Sequence, residues 1–516
     1  MLERKVLDHM RRWKSRARGR EALLIEGARR VGKSTAVEQF AKNEYRSSII
    51  IDFSRLPRDV RSIFEDQRDD LDTFFMLLSA YYRTPLHTRE SLIVFDEVQL
   101  YPKAREMIKH LVADGRYDFV ETGSLISIKR HVKDIVIPSE ERKLEMDPLD
   151  FEEFCWAMGE KLLSDLIRNS FETPRQLPDA LHKRAMRLWR EYLLVGGMPQ
   201  AVNEYVQSRD FNEVDYIKRG IIDLYLDDMG KLANGDTGKL RSIFSQIPGQ
   251  LSKHEKKFTL ASIDREARSR SYDSAFFWLE DARLTNICRN ATDPTVGLGL
   301  SEDNASFKCY MADTGLLVSQ VFADRRSTPS EVYRDILFDK LSLNEGMLVE
   351  NAVAQQLRAN GRRLFFYSRY ARGDSQRTME IDFLIVRAHD DANLRARVSP
   401  VEVKSTKRYG TSSLDKFEPR VKPGGILIYD GNGIAAPPSR TDIKVYRMDA
   451  MDKAAEMKNA KVFNMIVLGG LLKVCPVVST EGLNKALFKT LPERYHNLIP
   501  LNMEAVEQGK QIIAEQ

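Results

Sequence analysis

The chain has 516 residues, 42% of them hydrophobic and 30% charged, which is the composition of a soluble globular protein long enough for about three or four domains. Its net charge of +5, from 80 basic against 75 acidic residues, is too small to argue by itself for a nucleic-acid partner. The four cysteines (Cys155, Cys288, Cys309, Cys475) form no C-x-x-C, so they spell neither a zinc ribbon nor an iron–sulfur ligand set, and they suit a reducing cytoplasm.

The opening segment, "MLERKVLDHMRRWKSRARGR", lacks the apolar stretch of a secretory leader. No run of about 18 apolar residues occurs, so no membrane span and no membrane partner are expected, and "MIVLGGLLKV" near the end reads as buried core. Arg11, Arg12, Lys14, Arg16, Arg18 and Arg20 make the opening basic; a solvated helix face accounts for them more plainly than phosphate contact does.

"EALLIEG" is a short apolar run ending at Gly27, and "GKSTAVEQFAKNE" has apolar residues at helical spacing. Between them lies G-x-x-x-x-G-K-S, so the context is strand, loop, helix, as a phosphate-binding loop requires. Gly27 and Gly32 let the backbone curl until its N–H groups converge on phosphate oxygens, and the new helix turns its positive end to the same point. Lys33 supplies a mobile charge for the β and γ phosphates, and Ser34 can place its hydroxyl on Mg²⁺. Arg30 and Thr35 belong to the same candidate nucleotide set. "SSIIIDFS" reads as a second strand. "SLIVFDEVQ" is a third, of the kind buried on both faces of a parallel sheet, with Asp96 and Glu97 at its tip, where open α/β sheets bind ligands. Asp96 is placed to hold Mg²⁺ through water and Glu97 to orient the attacking water. "RYDFVETGSL" is a fourth strand; Thr122, Gly123 and Ser124 at its end read equally as γ-phosphate sensors and as a simple turn. The pattern predicts a doubly wound parallel α/β sheet over residues 1–150.

These residues resemble the AAA+-like ATPases of bacteria and archaea that join a P-loop domain to a C-terminal nuclease-like domain of unknown function. The resemblance rests on "WKSRARGREALLIEGARRVGKST", "IDFS", "FDEVQ" and "TGS". It continues through "MDPLDFEEF", "YLLVGGMPQAV" and "KCYMADTGLL", to about residue 410. It implies ATP and Mg²⁺ as cofactors. Where the family often has Gly-Arg before the "PLDFEEF" stretch, this chain has Arg142 without the glycine; a surface ion pair is favoured over a finger on the γ-phosphate. No arginine finger is convincing, so a ring is not implied and the oligomeric state stays open.

Residues 151–237 are rich in Leu, Arg, Glu and Ala at helical spacing and read as a helical lid or linker, with "VGGMP" a structural bend. Over 238–328, "SAFFWLEDARLTNICRN" and "FKCYMAD" resemble a winged helix, whose helix can enter a DNA groove. Phe276, Phe277, Trp278 and Leu279 nevertheless read as core.

From 329 to 415 the expected elements are a helix, "LNEGMLVENAVAQQLRANG", and strands including "MEIDFLIV" and "SPVEVKST". In the last, Val401 and Val403 face one way and Glu402 and Lys404 the other. Asp382 can meet Glu402 across the strand pair, two carboxylates can hold Mg²⁺, and Lys404 can orient a water. This resembles the PD-(D/E)xK nuclease core, with Asp382, Glu402 and Lys404 in the motif and Glu350 the candidate helix carboxylate. The plainer alternative is an amphipathic strand in an inactive nuclease-like domain.

After "SSLDKFEPRV" the character changes. "GGILIYDGNG", "NAKVFNMIVLGGLL", "TLPER" and "LNMEAVEQGKQI" resemble the C-terminal half of the gamma subunit of 2-oxoacid:ferredoxin oxidoreductases, over 416–516. The resemblance implies a packed helix with close glycine contacts in "NMIVLGGLL". The subunit's N-terminal half is missing, so the segment is a partial α/β tail, expected to be marginal alone. The chain reads as a chimera joined near 410–424, and "GGILIYDG" is compatible with docking as a surrogate strand on the nuclease-like sheet. The expectation is a cytoplasmic, Mg²⁺-dependent P-loop ATPase acting on DNA, RNA or a protein partner. An ATP-regulated metal-dependent nuclease and an oxidoreductase subunit are the alternatives.

Overall fold

The computed structural model describes residues 2–124, 139–173, 175–232, 236–253, 256–260, 271–294, 297–323, 331–333, 345–369, 379–387, 397–404, 426–430 and 444–515. The junction expected near 410–424 lies outside them. The chain divides into two compact units, residues 1–414 and 415–516.

The first unit opens with helix α1 (Val6–Ala17) and a five-stranded sheet of β1 (Ala22–Glu26), β2 (Ser47–Asp52), β3 (Ser91–Asp96), β4 (Asp118–Gly123) and β5 (Glu141–Glu145). The order is β2-β3-β4-β1-β5, and every neighbouring pair is parallel. The alternation of side chains across the pleat sends Leu23 and Ile25 into one core and Ala22 and Leu24 into another. The first core takes Met10 and Trp13 of α1 and Val37 and Phe40 of α2 (Lys33–Glu44). The second takes Phe64 of α3 (Arg58–Asp66), Phe74 of α4 (Leu71–Tyr82) and Ile108 of α5 (Pro102–Asp114). Apolar runs such as "ALLIE" are therefore needed on both faces, and all five of its residues are buried. The sequence pattern did not predict β5. "ERKLE" is an edge strand with an exposed, charged face, so the apolar run that betrays a central strand is absent.

The helices that follow are tied to the rest by close backbone approaches. Gly196 has φ +82°, and a Cβ there would lie 2.3 Å from Asp313 Oδ1; a Cβ on Gly315 would lie 2.2 Å from Val195 O. Asp313 caps the helix Thr314–Val321 by accepting from Leu316 N at 2.9 Å and also accepts from Gly197 N at 2.5 Å. "VGGMP" is thus one half of an interlock whose other half is "ADTG". Gln355 joins it, donating to Asp313 Oδ2 at 3.2 Å.

A second sheet follows, of β6 (Thr285–Ala291), β7 (Glu302–Met311), β8 (Leu364–Arg369) and β9 (Met379–Ile381), in the order β7-β6-β8-β9. The antiparallel pair β10 (Phe383–Arg387) and β11 (Arg397–Val401) follows it. The expected boundary between a winged helix (238–328) and a nuclease-like domain (329–415) falls inside this sheet, because β6 pairs with β7 on one side and with β8 on the other. Phe276 and Leu279 are buried as expected, whereas Phe277 is exposed.

The second unit has a sheet of β12 (Ile426–Asp430), β13 (Lys444–Met448) and β14 (Ala514–Glu515). β12 takes β13 as its parallel ladder partner. The helices Phe463–Val474 and Ile499–Ile512 meet at reciprocal glycines. A Cβ on Gly469 would lie 2.0 Å from Val506 O, and one on Gly509 1.8 Å from Ile466 O. The close glycine packing expected of "NMIVLGGLL" is present. Among the described residues no helix is long and apolar enough to cross a membrane.

Candidate nucleotide-binding site

The loop between β1 and α2 carries Gly27 to Gly32. A Cβ on Gly27 would lie 2.3 Å from Met146 O, and Gly32 sits at φ +91°, so both positions require glycine. Arg30 also takes a positive φ, +69°. α2 begins at Lys33, which is buried, and its ammonium donates to Gly27 O at 3.1 Å and Ala28 O at 3.0 Å. Burial lowers its pKa below the ordinary lysine value, against the opposing pull of Glu97 and Asp96.

Ser34 donates to Asp96 Oδ1 at 2.9 Å, and the Thr122 hydroxyl donates to the same oxygen. Thr122 also accepts from Glu97 N at 3.2 Å. Glu97 has φ +54°, and its carboxylate accepts from Gln99 Nε2. The adjacency of β1, β4 and β3 brings the ends of three strands together, and Ser34, Asp96, Thr122 and Glu97 form one hydrogen-bonded chain beside Lys33. Thr122 lies within β4, and its hydroxyl is taken up in this chain. The hydroxyl of Ser34 and the carboxylate of Asp96 are hard oxygen donors in contact, a set suited to Mg²⁺. Thr35 is exposed on the first turn of α2.

Sequence reasoning missed the residues that hold the loop from outside. Arg4 donates to Val31 O at 3.0 Å and Asp147 O at 2.7 Å, and pairs with Glu153 at 3.1 Å. Tyr225 donates to Arg29 O at 2.9 Å, and Arg29 pairs with Asp228 at 2.7 Å. Burial pushes Asp147 up to about 6, against the pull of Arg283 and Arg4. The one available signal was "MDP" directly after a charged strand. Arg142 lies at the start of β5, away from the loop end of the sheet, and pairs with Glu21 at 3.2 Å, the surface ion pair that was favoured. In the basic opening, Arg11 pairs with Glu44 at 2.8 Å, and Arg12, Arg16, Arg18 and Arg20 are exposed on or just beyond α1.

The nuclease-like residues come together differently from expectation. Val401 and Val403 pack on the main core, and Lys404 pairs with Glu402 at 2.7 Å, although β11 ends at Val401, before both of these charged residues. Asp382 accepts from Val403 N at 2.9 Å. Glu350, however, is met by the ammoniums of Lys308, at 3.2 Å, and Lys256, and by the Tyr310 hydroxyl. Lys308 also pairs with Asp382 at 3.4 Å. Among the described residues no three or more His, Cys, Asp or Glu side chains are grouped so as to hold a metal. Of the expected ligand set Asp382, Glu402 and Glu350, the first and last share a lysine, Lys308. Burial raises the Asp382 pKa, with the Glu350 charge adding to it. For Glu350 burial acts upward, but Lys308, Lys256 and Tyr310 outweigh it and the net shift is downward.

A parallel sheet of this order, with a glycine loop between a strand and a helix and acids at the tip of a neighbouring strand, is a P-loop α/β fold. Comparison with known families agrees: residues 19–155 match the AAA domain model. Residues 186–327 match a domain of unknown function (DUF8612), across the expected boundary at 237. Residues 380–512 match pyruvate ferredoxin/flavodoxin oxidoreductase, so that likeness begins inside the segment read as nuclease-like. No curated protein matches the chain. Among solved structures, the Aeropyrum pernix Orc1 protein in complex with DNA aligns over 66% of this chain and 93% of its own at 10% identity, with a TM-score of 0.23. Cdc6p from Pyrobaculum aerophilum aligns over 65% and 94% at 9% identity, with a TM-score of 0.22. The STAND protein PH0952 from Pyrococcus horikoshii aligns over 67% and 47% at 13% identity, with a TM-score of 0.23. Likeness this distant transfers no property of those proteins to this chain.

Proposed function

We propose that the chain is a Mg²⁺-dependent ATPase whose catalytic centre is the loop of Gly27 to Thr35 together with Asp96, Glu97 and Thr122. The observation that carries the reading is the convergence of the Ser34 and Thr122 hydroxyls on the Asp96 carboxylate, one strand away from a lysine held only by loop carbonyls. Lys33 leaves those two carbonyls for the β and γ phosphate oxygens, and the backbone N–H groups of the loop and the first turn of α2 complete the anion cradle. Ser34 and Asp96 would hold Mg²⁺, which supplies charge neutralisation between the phosphates. Glu97, oriented by Gln99, accepts a proton from the attacking water. Asp96 keeps its hydroxyl partners throughout, so the acid pair is positioned before nucleotide arrives.

The test separates binding from chemistry. Glu97→Gln is expected to retain ATP binding and to lose phosphate release by about 100-fold. A variant that still hydrolyses at the parental rate overturns the role of Glu97. The target of the ATPase cycle is proposed to be a nucleic acid or a protein, and salt-sensitive DNA retention by the purified chain checks the first. An ATP-regulated nuclease is the weaker reading, because Lys308 lies among its carboxylates. An oxidoreductase role rests on the match over 380–512 alone, and demands oxoacid-dependent ferredoxin reduction with partner subunits.

A further inference from the structure

Lysine is among the residues least often fully buried, and when buried it is paired. Lys308 is wholly buried, the first of the four buried residues that end β7. Two residues apart on β7, Lys308 and Tyr310 project to one face, and both reach Glu350. An ammonium has three N–H donors. Those of Lys308 are met by Glu380 Oε1 at 2.7 Å, Glu350 Oε1 at 3.2 Å and Asp382 Oδ1 at 3.4 Å. The Phe366 ring lies 5.2 Å from the same nitrogen. Two of the three remaining oxygens are also taken: Lys256 sits on Glu350 Oε2, and Val403 N–H on Asp382 Oδ2. These carboxylates come from the helix Glu345–Ala359 and from the β9–β10 segment.

A divalent cation needs these oxygens at about 2 Å. It would then stand within a few ångströms of a fixed positive charge with little solvent to screen the repulsion. We propose that the Lys308 ammonium takes the place of a divalent cation among Glu350, Glu380 and Asp382, so that this sheet is a metal-independent platform and not a phosphodiester-cleaving centre. The inference is independent of the ATPase reading, since none of its residues touches the nucleotide loop.

The experiment uses the full chain carrying Lys33→Ala, without nucleotide, and follows free Mn²⁺ by electron paramagnetic resonance. The expected result is no Mn²⁺ binding that Asp382→Asn removes. Adding Lys308→Met is expected to create one site, at least about tenfold tighter than anything in the parent, lost again on adding Asp382→Asn. Lys308→Arg, which keeps the charge, is expected to create none. Mn²⁺ binding by the parent that Asp382→Asn abolishes overturns the proposal, as does a folded Lys308→Met chain that gains no site. If Lys308→Met does not fold, the parent and its Asp382→Asn variant still decide the matter.

Discussion

Of the buried lysines of the first unit, Lys33 and Lys308 are set in opposite surroundings. Lys33, in the nucleotide loop, rests on two neutral carbonyl oxygens and lies near Asp96 and Glu97 without an ion pair to either at contact distance. Lys308, in the second sheet, is enclosed by three carboxylates. The first is a charge waiting for an anion, and its partners can be exchanged for phosphate oxygens at small cost. The second is a charge already neutralised, and its loss would leave Glu350 to Lys256 and Tyr310 and Asp382 to the Val403 N–H, with one counter-charge fewer among three carboxylates. A lysine beside carboxylates is thus a binding group in one setting and a structural counter-ion in the other, and what separates them is whether the contacting oxygens are charged.

The comparison breaks most directly at Lys308. Removing one partner of a buried ionic cluster costs roughly 3–5 kcal/mol, so Lys308→Ala is expected to lower the denaturant midpoint of the first unit sharply. Lys33→Ala, measured without nucleotide, is expected to leave that midpoint unchanged or to raise it, because a desolvated ammonium with neutral partners is removed. Equal losses from the two substitutions would erase the distinction.

The reverse pattern is expected in binding. Lys33→Ala should weaken ATP by about 100-fold, read by titration calorimetry with Mg²⁺ present, since the charge-assisted bonds to the phosphates go. Lys308→Arg should bind ATP as the parent does. Unchanged ATP affinity in Lys33→Ala would remove the nucleotide site altogether.

Much of the nucleotide sheet was legible because a strand buried on both faces must be an apolar run, and because Gly27, Gly32, Lys33 and Ser34 have spacing that only a strand–loop–helix makes useful. β5 was not legible, since an edge strand carries no such run. Arg4 and Tyr225 reach the loop from 27 and 196 residues away, a pairing that no local pattern encodes. Lys308 did leave a trace, a charge between Phe307 and Cys309 two residues from a tyrosine, but its three carboxylates come from a helix and from the strands beyond β8, brought to it by tertiary pairing. The second sheet was divided between two expected domains for the same reason: parallel pairing across a long crossover is a tertiary fact.

A third buried charge sharpens the contrast. Glu121 is wholly buried in β4, beside Glu141, which Arg105 already holds at 2.9 Å. Burial first, and then the Glu141 charge, raise the Glu121 pKa well above its ordinary value near 4.5. A raised folded value means that this acid's contribution is fully present below the unfolded pKa and is lost as pH rises through the folded one. Glu121→Gln keeps a neutral group there, so its melting temperature is expected to exceed the parent's by a margin that grows from pH 5 upward. A margin constant across pH 5 to 8 would mean that Glu121 does not hold its proton. Here an acid is accommodated by a proton, where Glu350 is accommodated by lysines.

The smallest effect is expected from removing the second unit. The oxidoreductase likeness begins at residue 380, yet Ile381, Phe383 and Leu384 are buried, and Phe383 belongs to the core of the first unit. The second unit has its own core around Met448, Ile466, Ala505 and Ile513. Likeness in sequence and membership in a core therefore part company over residues 380–404, and packing decides which residues melt together. A chain ending at Leu414 should bind ATP within about twofold of the full chain and keep the melting temperature of the first unit. If truncation instead unfolds the second sheet, the segment from 380 belongs physically with the tail, and Lys308 loses Glu380 and Asp382 as fixed partners.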